Sequence, residues 1–352
     1  MANLARAMVS LGHKVTVVTP TEAVPTQLGL SLSATRIVQV SGEWQQTAQT
    51  QPRSTTSAAS VALKNMWAYA QRSAHFYDVL VNFAYDWLPF HLTPSLCKPV
   101  AHFVSMGSLS DQLDSAIAQV AAQFPGTLGA YTQSQAETFA PEVPSDSWKI
   151  LGGAIDITKY HYRAQLEEIS RPALAWVGRI SPEKGLEDAI AAARLSKQPL
   201  KIFGKIEDKA YWHRLQSQLS WREDDSLIAY CGFLPTAQLQ KALGRCRALL
   251  LTSHWVEAFG MVVVEAFACG VPVIAYDCGG PGEIVKAGET GWLVSQGQVS
   301  GLVDAIAKID QLSRAECRYQ AETVHALAAW AERMEDWFYK VIADSVPDKL
   351  SS

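Results

Sequence analysis

The chain has 352 residues, a formal net charge of −4 at pH 7 and a hydrophobic share of 48%. These values fit two ordinary globular domains with buried cores. The slightly acidic balance, without any Lys/Arg cluster, excludes an electrostatic case for nucleic acid or an anionic membrane as partner.

The first half of the chain alternates between helical and strand patterns. It opens in a helix, because Leu4, Met8 and Leu11 fall on one face and Gly12 ends the pattern. A polar stretch at 41–60 is predicted to be a surface loop, and a helix follows at 61–76. Short apolar runs predict strands at 15–18, 37–40, 79–82, 100–104, 128–131 and 148–151.

A second alternating set starts after a weakly periodic stretch at 152–171, where we place a domain boundary. The patterns predict strands at 173–177, 200–203, 228–230, 248–251 and 271–276. They predict helices at 185–195, 210–219, 236–243, 261–269 and 301–312. A last helix carries an aromatic stripe that must pack either at a domain seam or on the first domain, formed by Trp330, Met334, Trp337, Phe338 and Val341.

This alternation predicts an α/β protein with two doubly wound, Rossmann-like domains that face a cleft. Short apolar strands between helices are typical of parallel sheets covered on both faces, and ligands of such sheets bind beyond the carboxyl ends of the strands. The predicted division is 1–155, 156–325 and a terminal helix in 326–352.

The chain's cysteines and apolar stretches bear on its compartment. Its 6 cysteines are scattered without a CxxC pair or metal-ligand spacing, and the first residues lack the apolar core of a signal peptide. We therefore expect reduced, buried thiols in a cytoplasmic protein, with three disulfides as the alternative.

The most apolar stretch, 261–276, is interrupted by Glu265, Gly270 and Pro272, so we expect no integral membrane segment.

The segment 178–185, GRISPEKG, follows a predicted strand and opens a helix. Arg179 and Lys184 therefore project from a loop at the ligand-binding edge of the sheet. A planar guanidinium and a compact ammonium both suit phosphate oxygens. The alternative interpretation is an ordinary solvated turn with surface charges.

The segment 257–265 places two carboxylates eight positions apart, with Phe259, Gly260 and Met261 between them. The amides of these three residues would form a helix N-terminus, which favours anions. Glu265 lies one helical turn beyond Met261 and shares its face. An unpaired buried carboxylate is costly, so we expect Glu257 and Glu265 to accept hydrogen bonds from sugar hydroxyls.

A third turn, 278–284, is rich in glycine and places Pro281 at the first position of a helix. Turns of this kind cradle phosphate or sugar. The chain has no GxGxxG segment after any predicted strand. This argues against a dehydrogenase, the rival enzyme class, which a test of nicotinamide binding would settle.

Together, the three segments resemble the retaining glycosyltransferase family 4. That family combines a G-R-x4-K-G segment, an E-x7-E segment containing F-G, and a G-G-x-x-E turn in this order, and the resemblance covers the whole second domain. It implies a GT-B fold, transfer with retention of the anomeric configuration, and no required metal or other cofactor. The resemblance implies these donor contacts: Arg179 and Lys184 to the diphosphate, Glu265 to the ribose, Glu257 to the sugar, the backbone of Phe259, Gly260 and Met261 to sugar and phosphate, and Phe233, mostly through its backbone, to the nucleobase.

The first domain is similar to a narrower group in that family, the bacterial UDP-glucose:tetrahydrobiopterin glucosyltransferases. In the first domain the similarity lies in segments 44–49, 82–89 and 101–109, and it extends to 255–260 in the second domain and to 335–337 in the closing helix. It implies a UDP-sugar donor, a glucosyl group and a small acceptor, and leaves the oligomeric state open. Two alternatives remain: a family 4 enzyme with a lipid or saccharide acceptor, and a sugar-nucleotide-binding protein that has lost catalysis.

In the first domain the resemblance also implies a donor-sugar contact for His102, which would join Arg179, Lys184 and Glu257 as a catalytic residue. The alternative for a lone histidine on a strand is a hydrogen-bonded core residue. Acceptor contacts are predicted at Phe83, Asp86 and Trp87, since an aromatic ring stacks on a pterin and a carboxylate accepts from its amino edge. Plain packing is the alternative for this segment.

In a GT-B first domain, a strand and a glycine-rich loop precede the first helix. This sequence begins at Met1, already within that helix. We therefore expect the first domain to lack its N-terminal strand, a piece of about 15–25 residues, through a misplaced start codon or a truncated gene. The loss would leave the two strands beside the gap unpaired on one side.

Overall fold

The computed structural model describes residues 1–21, 35–43, 59–166, 170–218 and 226–345. The chain divides into two compact units, Met1–Gly152 with Leu327–Ser352, and Gly153–Ala326. The sequence placed its boundaries after residues 155 and 325, and the units change at residues 152 and 326. The resembling segment at 44–49 lies outside the described residues.

In the described part of the first unit, the predicted helix–strand alternation is present with three additional α-helices before the chain enters the second unit. Before the chain enters the second unit, the elements are α1 Ala2–Ser10, β1 Val15–Pro20, β2 Thr35–Val40, α2 Val61–Ser73, β3 Leu80–Asn82, α3 Trp87–Leu92, β4 Val100–Phe103, α4 Asp111–Gln123, β5 Leu128–Ala130, α5 Gln133–Glu137 and β6 Trp148–Ile150. All strands that were predicted here are confirmed. The helices α3, α4 and α5 were not predicted.

The strands of the first unit form two separate parallel sheets. One contains β1 and β2, and the other has the order β3-β4-β5-β6. Among the described residues, β1 therefore pairs only with β2, and β3 only with β4. A cavity of about 1910 Å³ is lined by residues of both β1 and β3, together with residues of α1 and α2. The first unit is thus wound around two sheets rather than one continuous sheet.

The second unit is a complete doubly wound domain. Its elements are β7 Leu174–Val177, α6 Leu186–Leu195, β8 Leu200–Phe203, α7 Lys209–Gln218, β9 Ile228–Tyr230, α8 Thr236–Leu243, β10 Leu249–Leu251, α9 Met261–Ala268, β11 Val273–Tyr276, α10 Gly280–Ile284, β12 Gly291–Val294, α11 Val299–Ala307 and α12 Arg314–Val324. The strand order is β12-β11-β10-β7-β8-β9, and all pairs are parallel. The order reverses between the central strands β7 and β10, which is where such sheets bind ligands.

The chain ends its described part in a long helix, α13 Leu327–Asp344, which belongs to the first unit. Its aromatic stripe is buried, as its spacing predicted. The Trp337 indole N–H donates to the Gly126 carbonyl oxygen at 2.8 Å, and that of Trp330 donates to the Gly152 oxygen at 3.1 Å. Each indole thus combines apolar burial with a satisfied polar group.

Two further expectations can be compared with the structure. All six cysteines are free thiols, but only Cys246, Cys269 and Cys317 are buried, and Cys97 is exposed. Within the described ranges, no helix has the length and apolar character needed to cross a membrane.

Candidate functional site

The turn after β7 presents Arg179 between two carboxylates. Its guanidinium lies 2.8 Å from a carboxylate oxygen of Glu207 and 3.4 Å from one of Glu183. The Arg179 side chain is 40% exposed, so solvent screens both pairs and a competing anion gains access to the guanidinium. Glu183 belongs to the same motif as Arg179, whereas Glu207 follows a different strand, β8, and no sequence pattern indicates it.

Lys184, from the same turn, contacts Glu257, which follows β10. The Lys184 ammonium donates to Glu257 Oε1, and the two side chains are only 14% and 13% exposed. The Ser253 hydroxyl donates to the same oxygen at 2.6 Å, and the ammonium lies 5.0 Å from the Trp255 ring centroid, within cation–π range. The structure thus joins two predicted site residues at the topological switch point.

The pKa of Glu257 reflects this contact. Burial alone would raise it, but the positive charge of Lys184 and the hydrogen bonds from Lys184 and Ser253 bring the pKa below its ordinary value. Glu257 is therefore an ionised acceptor with its negative charge balanced by Lys184. A ligand that supplies both an anion for Lys184 and hydroxyl donors for Glu257 would match both groups.

The glycine-rich turn at 278–284 supports the loop that carries Glu257. The Gly280 amide donates to the Glu257 carbonyl oxygen at 2.7 Å. A Cβ atom at Gly280 would overlap the carbonyl oxygen of Phe259, and one at Gly279, where φ is +72°, would overlap the Glu257 backbone. These glycines bring the two loops into backbone contact, a structural role that the sequence pattern did not distinguish from ligand binding.

The next loop residues lead into α9. Gly260 precedes the helix with φ +87°, a conformation that costs glycine little, and Met261 opens it, partly exposed. The Phe259 side chain is buried and stacks edge-on against His325, with ring centroids 5.8 Å apart. The amino end of α9, with its partial positive charge, therefore lies directly after the segment that carries Glu257.

Glu265 lies one turn further along α9. Tyr160, which the sequence analysis did not select, donates its hydroxyl to Glu265 Oε1 at 3.0 Å. Burial raises the pKa of Glu265, and the Tyr160 hydrogen bond partly opposes that rise. No sequence pattern indicates Tyr160, because it precedes Glu265 by 105 positions.

Phe233 lies in the loop after β9, and its side chain is 70% exposed. The loop is joined to the turn after β8, since the Gly204 amide donates to the Gly232 carbonyl oxygen at 2.9 Å. The Tyr230 hydroxyl donates to the Gly204 oxygen at 3.0 Å. The loop that carries Phe233 is therefore held by hydrogen bonds, and its contact with a nucleobase stays a prediction.

In the first unit, His102 has the surroundings that the alternative interpretation, a hydrogen-bonded core residue, leads us to expect. Its side chain is 0% exposed and stacks on Phe90, with ring centroids 4.3 Å apart. Asn82 Nδ2 lies 3.2 Å from Nδ1, and Thr93 Oγ1 lies 2.9 Å from Nε2. Because the Thr93 hydroxyl donates to the Pro89 oxygen, the inferred neutral tautomer accepts at Nδ1 and donates from Nε2. Burial lowers the pKa of His102 to about 3, so it is a hydrogen-bonded core residue.

The three expected acceptor residues have different surroundings. Phe83 and Asp86 line the cavity beside β1 and β3. Asp86 also begins α3, accepting from the Leu88 amide at 2.9 Å through Oδ1, and burial raises its pKa. Trp87 packs against buried side chains of the first unit and stacks edge-on with His91 at 5.5 Å. Asp86 and Trp87 therefore have structural contacts of their own.

The family match lies within the second unit. Residues 161–324 match the family model described as Glycosyl transferases group 1. Glycogen synthase of Mycobacterium tuberculosis is 32% identical over 184 residues, which are 49% of this chain and 42% of that protein. The 2-deoxystreptamine N-acetyl-D-glucosaminyltransferase of Streptomyces fradiae is 26% identical over 194 residues, covering 50% of this chain and 46% of that enzyme. The chain thus spans less than half the length of these relatives.

Solved structures match over nearly the whole chain. The crystal structure of Alr3699/HepE from Anabaena, in complex with UDP-glucose, has a TM-score of 0.72 at 18% identity and covers 96% of each chain. At this identity the likeness establishes the fold. The protein has the GT-B fold with two Rossmann-like domains, as the sequence predicted.

Proposed function

We propose that this protein is a retaining glycosyltransferase that transfers glucose from UDP-glucose to tetrahydrobiopterin. One observation carries the proposal: the Lys184–Glu257 pair lies at the switch point of a complete doubly wound domain, directly before the amino end of α9. The ammonium and the helix N-terminus suit the negative charge of a diphosphate, and the carboxylate suits the hydroxyls of the sugar joined to it.

In the proposed donor complex, Lys184, Arg179 and the first amides of α9 bind the diphosphate. Glu257 accepts hydrogen bonds from sugar hydroxyls and Glu265 accepts them from the ribose, while Phe233 lies at the nucleobase. Lys184 exchanges its contact with Glu257 for phosphate oxygens, and the sugar hydroxyls compensate Glu257 for the lost donor. Both groups thus keep partners in the free and the bound protein.

The proposed transfer depends on charge stabilisation at the leaving group, and its retention depends on attack from the face that UDP leaves. As the bond between the anomeric carbon and the phosphate oxygen breaks, negative charge grows on UDP beside Lys184, Arg179 and α9. The acceptor hydroxyl oxygen bonds to the anomeric carbon on the face that UDP leaves, and its proton passes to the departing phosphate oxygen. Lys184 and Arg179 would thus stabilise the negative charge on the leaving group, which a divalent ion neutralises in other phosphate-handling enzymes.

Separate observations support the donor and the acceptor. The Anabaena protein of similar fold was crystallised with UDP-glucose, which supports that donor. Segments 82–89 and 101–109 resemble the tetrahydrobiopterin glucosyltransferases. Phe83 and Asp86 line one cavity, where the ring of Phe83 would stack on the pterin and Asp86 Oδ2 would accept from its amino edge.

Free thiols at all six cysteines fit the cytoplasmic location that we propose.

The test is product analysis by mass spectrometry after incubation with UDP-glucose and tetrahydrobiopterin. A pterin heavier by one glucosyl group, formed by the parent protein and lost in Lys184→Ala, would support the proposal. Turnover of UDP-glucose only with a lipid or saccharide acceptor would reject the pterin and keep the transferase. UDP binding without turnover on any of these acceptors would identify a nucleotide-binding protein instead.

A further inference from the structure

We propose that Tyr160 is a positioning residue that holds the Glu265 carboxylate in the orientation needed to bind a ribose. The proposal rests on the proposed function, because it assumes that Glu265 accepts hydrogen bonds from the nucleotide. Its basis is the contact between a buried tyrosine hydroxyl and a carboxylate from a distant part of the second unit.

The contact restricts the carboxylate. The Tyr160 hydroxyl donates to Glu265 Oε1 at 3.0 Å, and the tyrosine is only 8% exposed. A glutamate has three side-chain torsions, and one fixed oxygen removes most of their freedom. Oε2 then lies in a defined place, and a carboxylate retains lone pairs for the two hydroxyls of a ribose.

The backbone at Tyr160 is itself anchored to α9, the helix that carries Glu265. Arg318 Nη1, from α12, donates to the Tyr160 carbonyl oxygen at 3.1 Å and to the Ala268 oxygen at 2.7 Å. The next amide, of His161, donates to Gln240 Oε1 at 3.1 Å. Tyr160 is therefore fixed relative to the carboxyl end of α9, so its hydroxyl reaches Glu265 at a constant distance.

The tyrosine also affects the charge of Glu265. Burial raises the pKa of Glu265, and the hydrogen bond from Tyr160 lowers it. Burial and the nearby Glu265 raise the pKa of Tyr160, with smaller effects from Cys269 and Asp156, so the phenol stays protonated and remains a donor. The Cys269 thiol stays neutral as well, because burial raises its pKa to about 12. Removing the Tyr160 hydroxyl would make Glu265 easier to protonate and a weaker acceptor at mildly acidic pH.

The experiment compares Tyr160→Phe with the matched control Tyr162→Phe, two residues along the same segment. Calorimetry measures the affinity for UDP and for 2′,3′-dideoxy-UDP between pH 5.5 and 8.5, and thermal unfolding checks the fold of each variant. We expect Tyr160→Phe to bind UDP roughly tenfold more weakly at pH 7.5, with a larger deficit at pH 5.5. Its affinity for the dideoxy nucleotide, which lacks the ribose hydroxyls, should equal that of the parent.

Tyr162→Phe should match the parent with both nucleotides. Equal UDP affinity and pH profile in Tyr160→Phe and the parent would overturn the positioning role, and so would an equal loss for UDP and dideoxy-UDP. Failure of the parent protein to bind UDP at all would instead reject the proposed function, and this inference with it.

Discussion

Lys184 and Glu257 are 73 positions apart in the sequence, yet the ammonium of one donates directly to the carboxylate of the other. Both side chains are largely buried. In such a pair the loss of one partner leaves the other as an uncompensated charge, which costs more than the pair contributes. The pair therefore connects the loops after β7 and β10 in the free protein, and a ligand that separates the two charges must replace both contacts.

Glu257→Gln should separate nucleotide binding from turnover. The amide keeps an acceptor oxygen but loses the charge, so it holds Lys184 more weakly and UDP should bind at least as tightly as in the parent. Turnover of UDP-glucose should fall by about 10- to 100-fold, because hydrogen bonds to a charged acceptor contribute roughly 1.5–3 kcal/mol. Calorimetry with UDP and a turnover assay measure the two effects. Loss of UDP affinity with unchanged turnover would contradict the assignment of Glu257 to the sugar.

Glu265→Gln should stabilise the free protein while it weakens nucleotide binding. Burial raises the folded-state pKa of Glu265 above its ordinary 4.5, so its ionisation costs stability as the pH rises through 4.5 to the folded pKa. A glutamine keeps the acceptor for Tyr160 without the charge. We expect a higher melting temperature at pH 7.5, no gain near pH 4, and UDP affinity reduced about 10- to 100-fold. A variant that is less stable at pH 7.5 than the parent would contradict this.

The second unit could be predicted closely because its sequence pattern and its packing agree. Strands β7, β8 and β10 are short apolar runs, and the turns that follow β7 and β10 carry the charged residues of the site. By contrast, α12 was missed, because its sequence is polar and only three of its side chains are buried. Its Arg314 guanidinium donates to the carbonyl oxygens of Arg163, Gly244 and Cys246, contacts that no local periodicity indicates.

The site residues that were missed are partners rather than motif members. Ser253, Glu207 and Tyr160 each contact a predicted residue but come from separate loops. His102 shows a different limit of the sequence, since a histidine at the end of a strand gives the same pattern whether it faces a ligand or the core. Only the positions of Asn82 and Thr93 decide that its ring is enclosed.

His102 should make stability depend on pH without a direct part in transfer. Its pKa is lowered from 6.5 to about 3 in the folded protein. Its contribution to the free energy of unfolding is therefore complete above pH 6.5 and is lost as the pH falls towards 3, at up to about 1.4 kcal/mol per pH unit. Urea unfolding of the parent and of His102→Gln measures this slope, which should be shallower in the variant. A folded His102→Gln with parental stability and no turnover would restore the donor-sugar role.

Gly280→Ala should impair the site through its backbone. A Cβ atom there would overlap the carbonyl oxygen of Phe259, so the loop from Glu257 to Gly260 must shift, at a cost of about 1–3 kcal/mol. Turnover should fall at least tenfold, since misplaced catalytic groups lose rate steeply. Gly244→Ala is the matched control, because its added carbon would meet the Gln240 carbonyl oxygen at 3.2 Å and none of its three nearest atoms belongs to the 257–260 loop. Equal turnover in both variants would show that the close approach at Gly280 is dispensable.

The most direct test of the donor site is a calorimetric titration of the parent protein and of Lys184→Met with UDP-glucose. Methionine retains the apolar length of the lysine side chain but supplies no charge. We expect saturable binding to the parent, and affinity lower by about 10- to 100-fold in Lys184→Met, from the loss of charge-assisted hydrogen bonds. Equal affinity in a folded Lys184→Met, or no binding of UDP-glucose to the parent, would contradict the account.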